Sequence, residues 1–352
     1  MNDFDKYIRQ GESYKRERGY AWQTAIGLQE VDGLKPSKYL IKTALQHIEG
    51  DITIDEARQL INSYYQSKDN RTTSDDENEE ADKASVNIAK LLSERTFAFT
   101  IVGFSAIHRR IFEGVFKFAG KIRDYNITKK EWVLRGDTVL YVSAPDLRGA
   151  IEHDLEQEKA FDYTNLSMQQ IIRHITKFVS GLWQIHPFGE GNTRTVAVFT
   201  IQYLRSMGFN VENDLFAKHS WYFRNALVRA NYQNVQKGIK RNSEYLECFF
   251  RNLLLGEKNE LKNRYLIIHE NGNFQSITSG ISKTQIDTLN CTLEERVMLD
   301  CFRKNPHIKQ QEVAEHIGKS IATIKRLTAG LITKGILVRK NGKRNGFWEV
   351  KI

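Results

Sequence analysis

Cysteine is scarce in this sequence: Cys248, Cys291 and Cys301 are its three among 352 residues. None stands in a Cys-x-x-Cys pair. An odd, unpatterned set excludes a disulfide framework and reads as plain apolar side chains in a reducing compartment. No run approaches the roughly 18 to 20 apolar residues of a membrane helix. The opening residues, MNDFDKYIRQGESYKRERG, contain no apolar stretch of signal-peptide type. The expectation is a cytoplasmic protein without a membrane partner. Also absent are a Gly-x-x-x-x-Gly-Lys-[Ser/Thr] phosphate loop, a His-Glu-x-x-His zinc motif and any internal repeat. What the chain does have is a basic excess in one place. Residues 303–352 hold 12 Lys/Arg against 3 Asp/Glu, a surplus equal to the whole net charge of +9. Nucleic acid is therefore expected as a partner of the tail and not of the bulk.

Apolar periodicity divides the chain. Residues 1–66 read as a small helical unit. Leu40, Ile41, Ala44, Leu45 and Ile48 share one face of a helix over 37–49, and Thr53 with Glu56 has capping-box spacing ahead of a helix over 54–65. Residues 67–82 carry Ala81 as their single apolar side chain and read as a mobile acidic linker. A helical core follows over 83–256. Within it, 105–118 is helical and ends at Gly120. Residues 121–144 are strand-like around a turn at Arg135-Gly136-Asp137. Ile171, Ile175, Phe178, Leu182 and Ile185 form one stripe of a helix over 168–185, and a second apolar helix spans about 193–207. Residues 257–290 connect this core to a last unit, 291–352. That unit has helices predicted at 293–304, 309–317 and 320–333, then strands at 336–340 and 346–351. Three helices and a basic hairpin resemble a winged helix-turn-helix.

The chemistry concentrates in His186-Pro-Phe-Gly-Glu-Gly-Asn-Thr-Arg194, between two apolar helices. Gly191 and Asn192 permit a tight turn into a helix start, where backbone N–H groups attract phosphate. Arg194, in the first turn, reaches phosphate oxygens. Glu190 suits a Mg²⁺ shared with substrate phosphates. His186 suits proton removal from an incoming hydroxyl. Phe188 anchors the loop. A base, a metal ligand and a phosphate cradle within nine residues describe phosphoryl or nucleotidyl transfer.

These residues resemble the Fic-domain signature His-x-Phe-x-[Asp/Glu]-Gly-Asn-x-Arg-x-x-Arg at His186, Phe188, Glu190, Gly191, Asn192 and Arg194, and the resemblance extends over roughly 85–255. It implies a mainly α fold, with a helical core and a β-hairpin flap, and protein AMPylation as the activity. A Ser, Thr or Tyr hydroxyl of a target protein attacks the α-phosphate of ATP, with Mg²⁺ as cofactor. His186 would be the base and Glu190 the metal ligand. Gly189, Gly191, Asn192, Thr193 and Arg194 would bind nucleotide phosphate. Trp132 and Leu134 are flap candidates in the hairpin at about 130–143. Tyr232 and Asn234, after the loop, are further candidates for binding adenine. Ala197 departs from the pattern where a second arginine, which handles the γ-phosphate, would fall. Thr193 replaces a glycine-type residue.

Many Fic proteins are restrained by [Ser/Thr]-x-x-x-Glu-[Gly/Asn], and two places resemble it. Glu49-Gly50 ends an amphipathic helix in what resembles an antitoxin-like N-terminal segment, with Leu45 at the Ser/Thr position. Thr73-x-x-x-Glu77-Asn78 matches by letter but falls in the acidic linker. Glu49 is the favoured inhibitory candidate. In the tail, Lys325, Arg326, Arg339, Lys340, Lys343 and Arg344 are DNA-binding candidates. Protein docking or homodimerisation is the other use of such a unit. Two alternatives to AMPylation stand beside it: a DNA-binding regulator with a degenerate core, and a transferase using another nucleotide or phosphate donor.

Overall fold

Several helices of this chain begin where a Ser or Thr side chain caps them, at Ser37, Thr53, Thr100, Ser167, Thr292 and Ser320. A computed structural model describes residues 4–67, 73–211, 214–268, 291–341 and 346–351. Its helices, in chain order, are α1 (Asp5–Gln10), α2 (Ser13–Gly27), α3 (Lys38–Glu49), α4 (Ile54–Gln66), α5 (Thr73–Ser93), α6 (Ile101–Phe112), α7 (Leu147–Ala160) and α8 (Met168–Ile185). These are followed by α9 (Asn192–Ser206), α10 (Leu215–Lys218), α11 (Ser220–Asn231), α12 (Glu244–Leu255), α13 (Leu293–Lys304), α14 (Gln310–Ile317) and α15 (Ile321–Thr333). Strands β1 (Leu337–Lys340) and β2 (Phe347–Val350) form an antiparallel pair. Complete capping boxes start α4 at Thr53/Glu56, α8 at Ser167/Gln170 and α13 at Thr292/Glu295, each satisfying two orphan N–H groups. All three cysteines are free and buried. Among the described residues, no helix is long and apolar enough to cross a membrane.

The α8–α9 pair is the centre. Ile171, Ile175, Leu182, Val198, Phe199 and Leu204 have no exposed surface. Burying each such side chain contributes about 1.5–3 kcal/mol. Helices α6 and α5 pack along α9, while α7, α11 and α12 cover α8. Helix α2 lies along α5 and carries the N-terminal unit onto the core. A 3₁₀ turn, Leu28–Asp32, leaves α2 toward α9 and α11. The C-terminal unit joins the core through Met168 N–H donating to the Cys291 carbonyl and Arg296 donating to the Leu254 carbonyl.

Two expectations are corrected. Residues 73–82 are not linker but the first half of α5. The helix has an apolar face (Ala81, Ala84, Ile88 and Leu91 are all 2% exposed or less), and an i,i+4 pair, Glu79–Lys83, supports its acidic side. Composition misled because the apolar stripe begins only at Ala81. Residues 68–72 lie outside the described residues. The strands expected over 121–144, with their hairpin at about 130–143, are also absent. That stretch has no strand, only a 3₁₀ turn at Trp132–Leu134. Val133 and Leu134 are both buried, which an alternating strand does not allow. Two of its carbonyls, those of Tyr125 and Val142, accept instead from Arg123, which also donates to the His186 carbonyl. The turn at Arg135-Gly136 is real, with both residues at positive φ.

Asp82, fully buried, joins three elements: it accepts from the Ser37 N–H and hydroxyl at the start of α3 and from Tyr65 of α4 at 2.8 Å. Asp82→Ala leaves these donors unmet in the interior, so it should cost about 3 kcal/mol. Glu56→Ala, at an exposed capping box, should cost about 1 kcal/mol. Urea unfolding of the two variants checks the ratio.

Candidate active site

The loop between α8 and α9 is rigid because its own side chains close it. Asn192 Oδ1 accepts from the Phe188 N–H at 2.9 Å, and its Nδ2 donates to the Phe188 carbonyl at 2.7 Å. Phe188 is fully buried against His108, ring centroids 3.8 Å apart. Gly191 sits at φ +76°, and a Cβ there would stand 2.2 Å from the Phe112 ring. Only glycine meets both demands. The first N–H groups of α9 have no intrahelical acceptor and form the anion-attracting end of the helix. Thr193 does not face that end alone: its hydroxyl accepts from Trp183 Nε1 at 3.0 Å, which ties α9 to α8.

His186 ends α8 in the left-handed conformation, φ +53°. Its Nδ1 lies 3.3 Å from the Trp183 carbonyl. A carbonyl can only accept, so Nδ1 carries the proton and Nε2 keeps its lone pair. Burial holds the imidazolium pKa well below 6.5, reinforced by the charges of Lys129, Arg224 and Arg123. The ring is therefore neutral. It lies against Tyr141, centroids 4.2 Å apart, whose hydroxyl donates to buried Glu131.

Arg194 is 1% exposed, with its guanidinium over the Phe112 ring. Nη1 donates to Gln29 at 2.9 Å and Nη2 to Glu80 at 2.6 Å, while Nε stands 2.8 Å from Asp32. Glu190 differs: its carboxylate is half exposed and paired with Lys129 at 2.8 Å. Both Arg194 and Glu190 line a cavity of about 650 Å³, whose other walls include Asp32, Glu80, Trp221 and Arg224. Among the described residues, no cluster of three or more metal-ligating side chains exists. A Mg²⁺ held by one carboxylate, water and substrate phosphates needs none, so exposed Glu190 fits that role once Lys129 is displaced.

The sequence-predicted residues His186, Glu190, Gly191, Asn192, Thr193 and Arg194 are thus brought together, with Gly189 beside the Tyr125 hydroxyl. Other candidates fall elsewhere. Leu134 is core, whereas Trp132 is half exposed and near Trp221. Tyr232 donates to Asp137. Glu49 does not line the cavity: it accepts from Tyr7 and from Lys15 at 2.6 Å, within the N-terminal unit. Glu77 is exposed on α5. The acids that do reach Arg194, Asp32 and Glu80, were not singled out. Asp32-Gly33 has the same acid–glycine ending as Glu49-Gly50, and letters alone do not separate them. In the tail, Lys325, Arg326, Arg339 and Lys340 are exposed, Arg339 over Trp348 and Lys340 beside Glu349. Lys343 and Arg344 lie outside the described residues.

Residues 98–204 match the model of the Fic/DOC family, so the chain carries a Fic/DOC domain over that span. No curated protein matches the chain. Among solved structures, the chain is similar to the N-terminal Fic domain of a VirB-translocated Bep effector protein from Bartonella quintana. That similarity has 18% identity over 53% of this chain and 84% of the other, with TM-score 0.40. It is also similar to a Fic family protein from Desulfovibrio desulfuricans G20, with 11% identity over 99% of this chain and 91% of the other, TM-score 0.44.

His108 holds the loop from outside. It accepts at Nδ1 from the Gly120 N–H (2.8 Å), so Nε2 donates to the Glu190 carbonyl (3.0 Å). Burial, against a raising contribution from the Glu190 carbonyl and with Arg194 adding to the depression, lowers its pKa to about 4. The folded value lies below the unfolded one, so the unfolded chain takes the proton first as pH falls. The stability His108 contributes is complete above about pH 6.5 and is lost toward pH 4. Between pH 7 and 5 that loss is about 2 kcal/mol. Chemical denaturation at both pH values should show a decline smaller by about this amount in His108→Gln.

Proposed function

We propose that this chain is a protein adenylyltransferase, moving AMP from ATP to a Ser, Thr or Tyr hydroxyl of another protein. The observation that carries this reading is one closed loop that offers a neutral His186, the free start of α9, Arg194 and an exposed carboxylate at Glu190 beside a nucleotide-sized cavity. His186 Nε2 accepts the hydroxyl proton. The freed oxygen bonds to the α-phosphorus as the bond to the bridging oxygen breaks, and pyrophosphate leaves with that electron pair. The N–H groups at the start of α9 stabilise charge growing on the phosphoryl oxygens. Glu190 would hold Mg²⁺, which when bound neutralises phosphate charge. Arg194 would pair with the phosphates after release from Asp32 and Glu80. In this reading those two acids, not Glu49, form the restraint on activity.

The full chain, Mg²⁺ and ATP labelled on the α-phosphate should give protein-bound label that His186→Ala abolishes, while γ-labelled ATP gives none. Asp32→Ala/Glu80→Ala should raise the labelling rate by about tenfold, the order of one charge-assisted contact removed. Glu49→Gly should leave it unchanged. Label arriving from the γ-phosphate would replace this reading with phosphoryl transfer.

The C-terminal unit supports DNA as a further partner, read as a winged helix-turn-helix. The favouring observation is that Lys325 and Arg326 are exposed on α15 and Arg339 and Lys340 are exposed on β1. Neutralising four phosphates predicts a slope of log affinity on log salt of about −3.6. Lys325→Ala/Arg326→Ala should reduce it by about 1.8 in a fluorescence-anisotropy titration with duplex DNA. A flat salt response would leave the unit a docking or dimerisation module.

A further inference from the structure

Two guanidinium groups line the cavity, and they are not equivalent. Arg194 is committed: Nη1 and Nη2 donate to Gln29 and Glu80, and Asp32 pairs with it as a second carboxylate. One turn further along α9, Ala197 is fully buried and neutral, and Arg194 is the cation of that helix that lines the cavity. Arg224, on α11, is the other cationic wall. Its side chain is 16% exposed, and among the described residues its ion-pair partner is Glu131, Nη1 to Oε2 at 2.7 Å. The guanidinium lies over the ring of Trp221, which also lines the cavity. Behind it, Glu131 is 1% exposed and accepts from Tyr141, the residue packed on His186.

This arrangement is a cation fixed from the rear. A guanidinium has five N–H donors, and the Glu131 contact engages one nitrogen. The others belong to a group that lines the cavity. Glu30, Asp32, Glu80 and Glu190 make the remaining wall acidic. A polyphosphate is repelled by such a wall unless a held cation meets it. We propose that Arg224 is a specificity-determining residue that binds the β- and γ-phosphates of a nucleoside triphosphate donor, the task Ala197 cannot perform. This rests on the nucleotide-transfer reading. Glu131 and Trp221 set the guanidinium in place before the donor arrives, and Glu131 couples it through Tyr141 to the base.

Calorimetric titration with ATP and with AMP, in Mg²⁺, separates the possibilities. The full chain is used, and also the chain carrying Asp32→Asn and Glu80→Gln, which frees Arg194. Arg224→Gln leaves Glu131 buried without its cation. Glu131→Gln/Arg224→Leu removes both charges and keeps a partner for Tyr141. Expected in both variants is a loss of about tenfold or more in ATP affinity with AMP affinity changed less than about twofold. If the parent chains prefer ATP to AMP and both variants keep that preference, Arg224 is not the determinant and the inference falls alone. If neither parent chain binds ATP more tightly than AMP, the triphosphate-donor reading falls and takes this inference with it.

Discussion

The buried charge of Arg194 is the constraint on which the site and its surroundings depend. A guanidinium with 1% exposure is tolerated only where acceptors surround it. Here three side chains from two elements do so: Gln29 and Asp32 in the turn after α2, and Glu80 on α5. The residue is therefore both the first-turn cation of α9 and the point at which the N-terminal unit is fastened to the core. The link also explains why an acidic segment folds as helix. Glu80 has a buried cation to meet and Asp82 has buried hydroxyls to accept from, so the polar stretch becomes useful inside the structure.

The loop itself is kept by hydrogen bonds to its backbone that involve neither the His186 ring nor the Glu190 carboxylate. Asn192 takes both backbone groups of Phe188, His108 takes the Glu190 carbonyl, and Arg123 takes the His186 carbonyl. Each satisfies a polar backbone group that a tight buried turn would otherwise strand. His186 Nε2, the carboxylate of Glu190 and the start of α9 are not used up in this way. Rigidity and availability come from different atoms of the same nine residues.

Much of this was legible in the sequence where the determinants are local. The bounds of α8 and α13, and the capping box of α4, follow from residues three or four apart. The loop could be read because its residues are contiguous. What could not be read depends on distance in the chain. Gln29 reaches Arg194 across 165 positions and Glu80 across 114. No pattern marks Glu80 among its acidic neighbours. The stretch 121–144 misled for a related reason: its β-branched and aromatic residues suit a strand, but Arg123 takes the Tyr125 and Val142 carbonyls and local turns take others. Glu49 and Asp32 have the same local ending, and only the fold brings Asp32 to the guanidinium while Glu49 meets Lys15.

The electrostatics of the cavity give these contacts a common sense. Asp32 and Glu80 neutralise Arg194, Lys129 neutralises Glu190, and Glu131 partly neutralises Arg224. Each charge suited to a nucleotide is thus held by an opposite charge from another part of the chain. An ion pair in a partly buried site is strong enough to fix a side chain but yields to a ligand that offers more charge, as a triphosphate with its metal does. Arg194 faces two carboxylates and Arg224 one, so the two should yield in different degrees. In the proposed reading the more weakly opposed guanidinium would meet incoming phosphate first, and the release of Arg194 would then require the turn after α2 and the helix α5 to give up their shared hold on it.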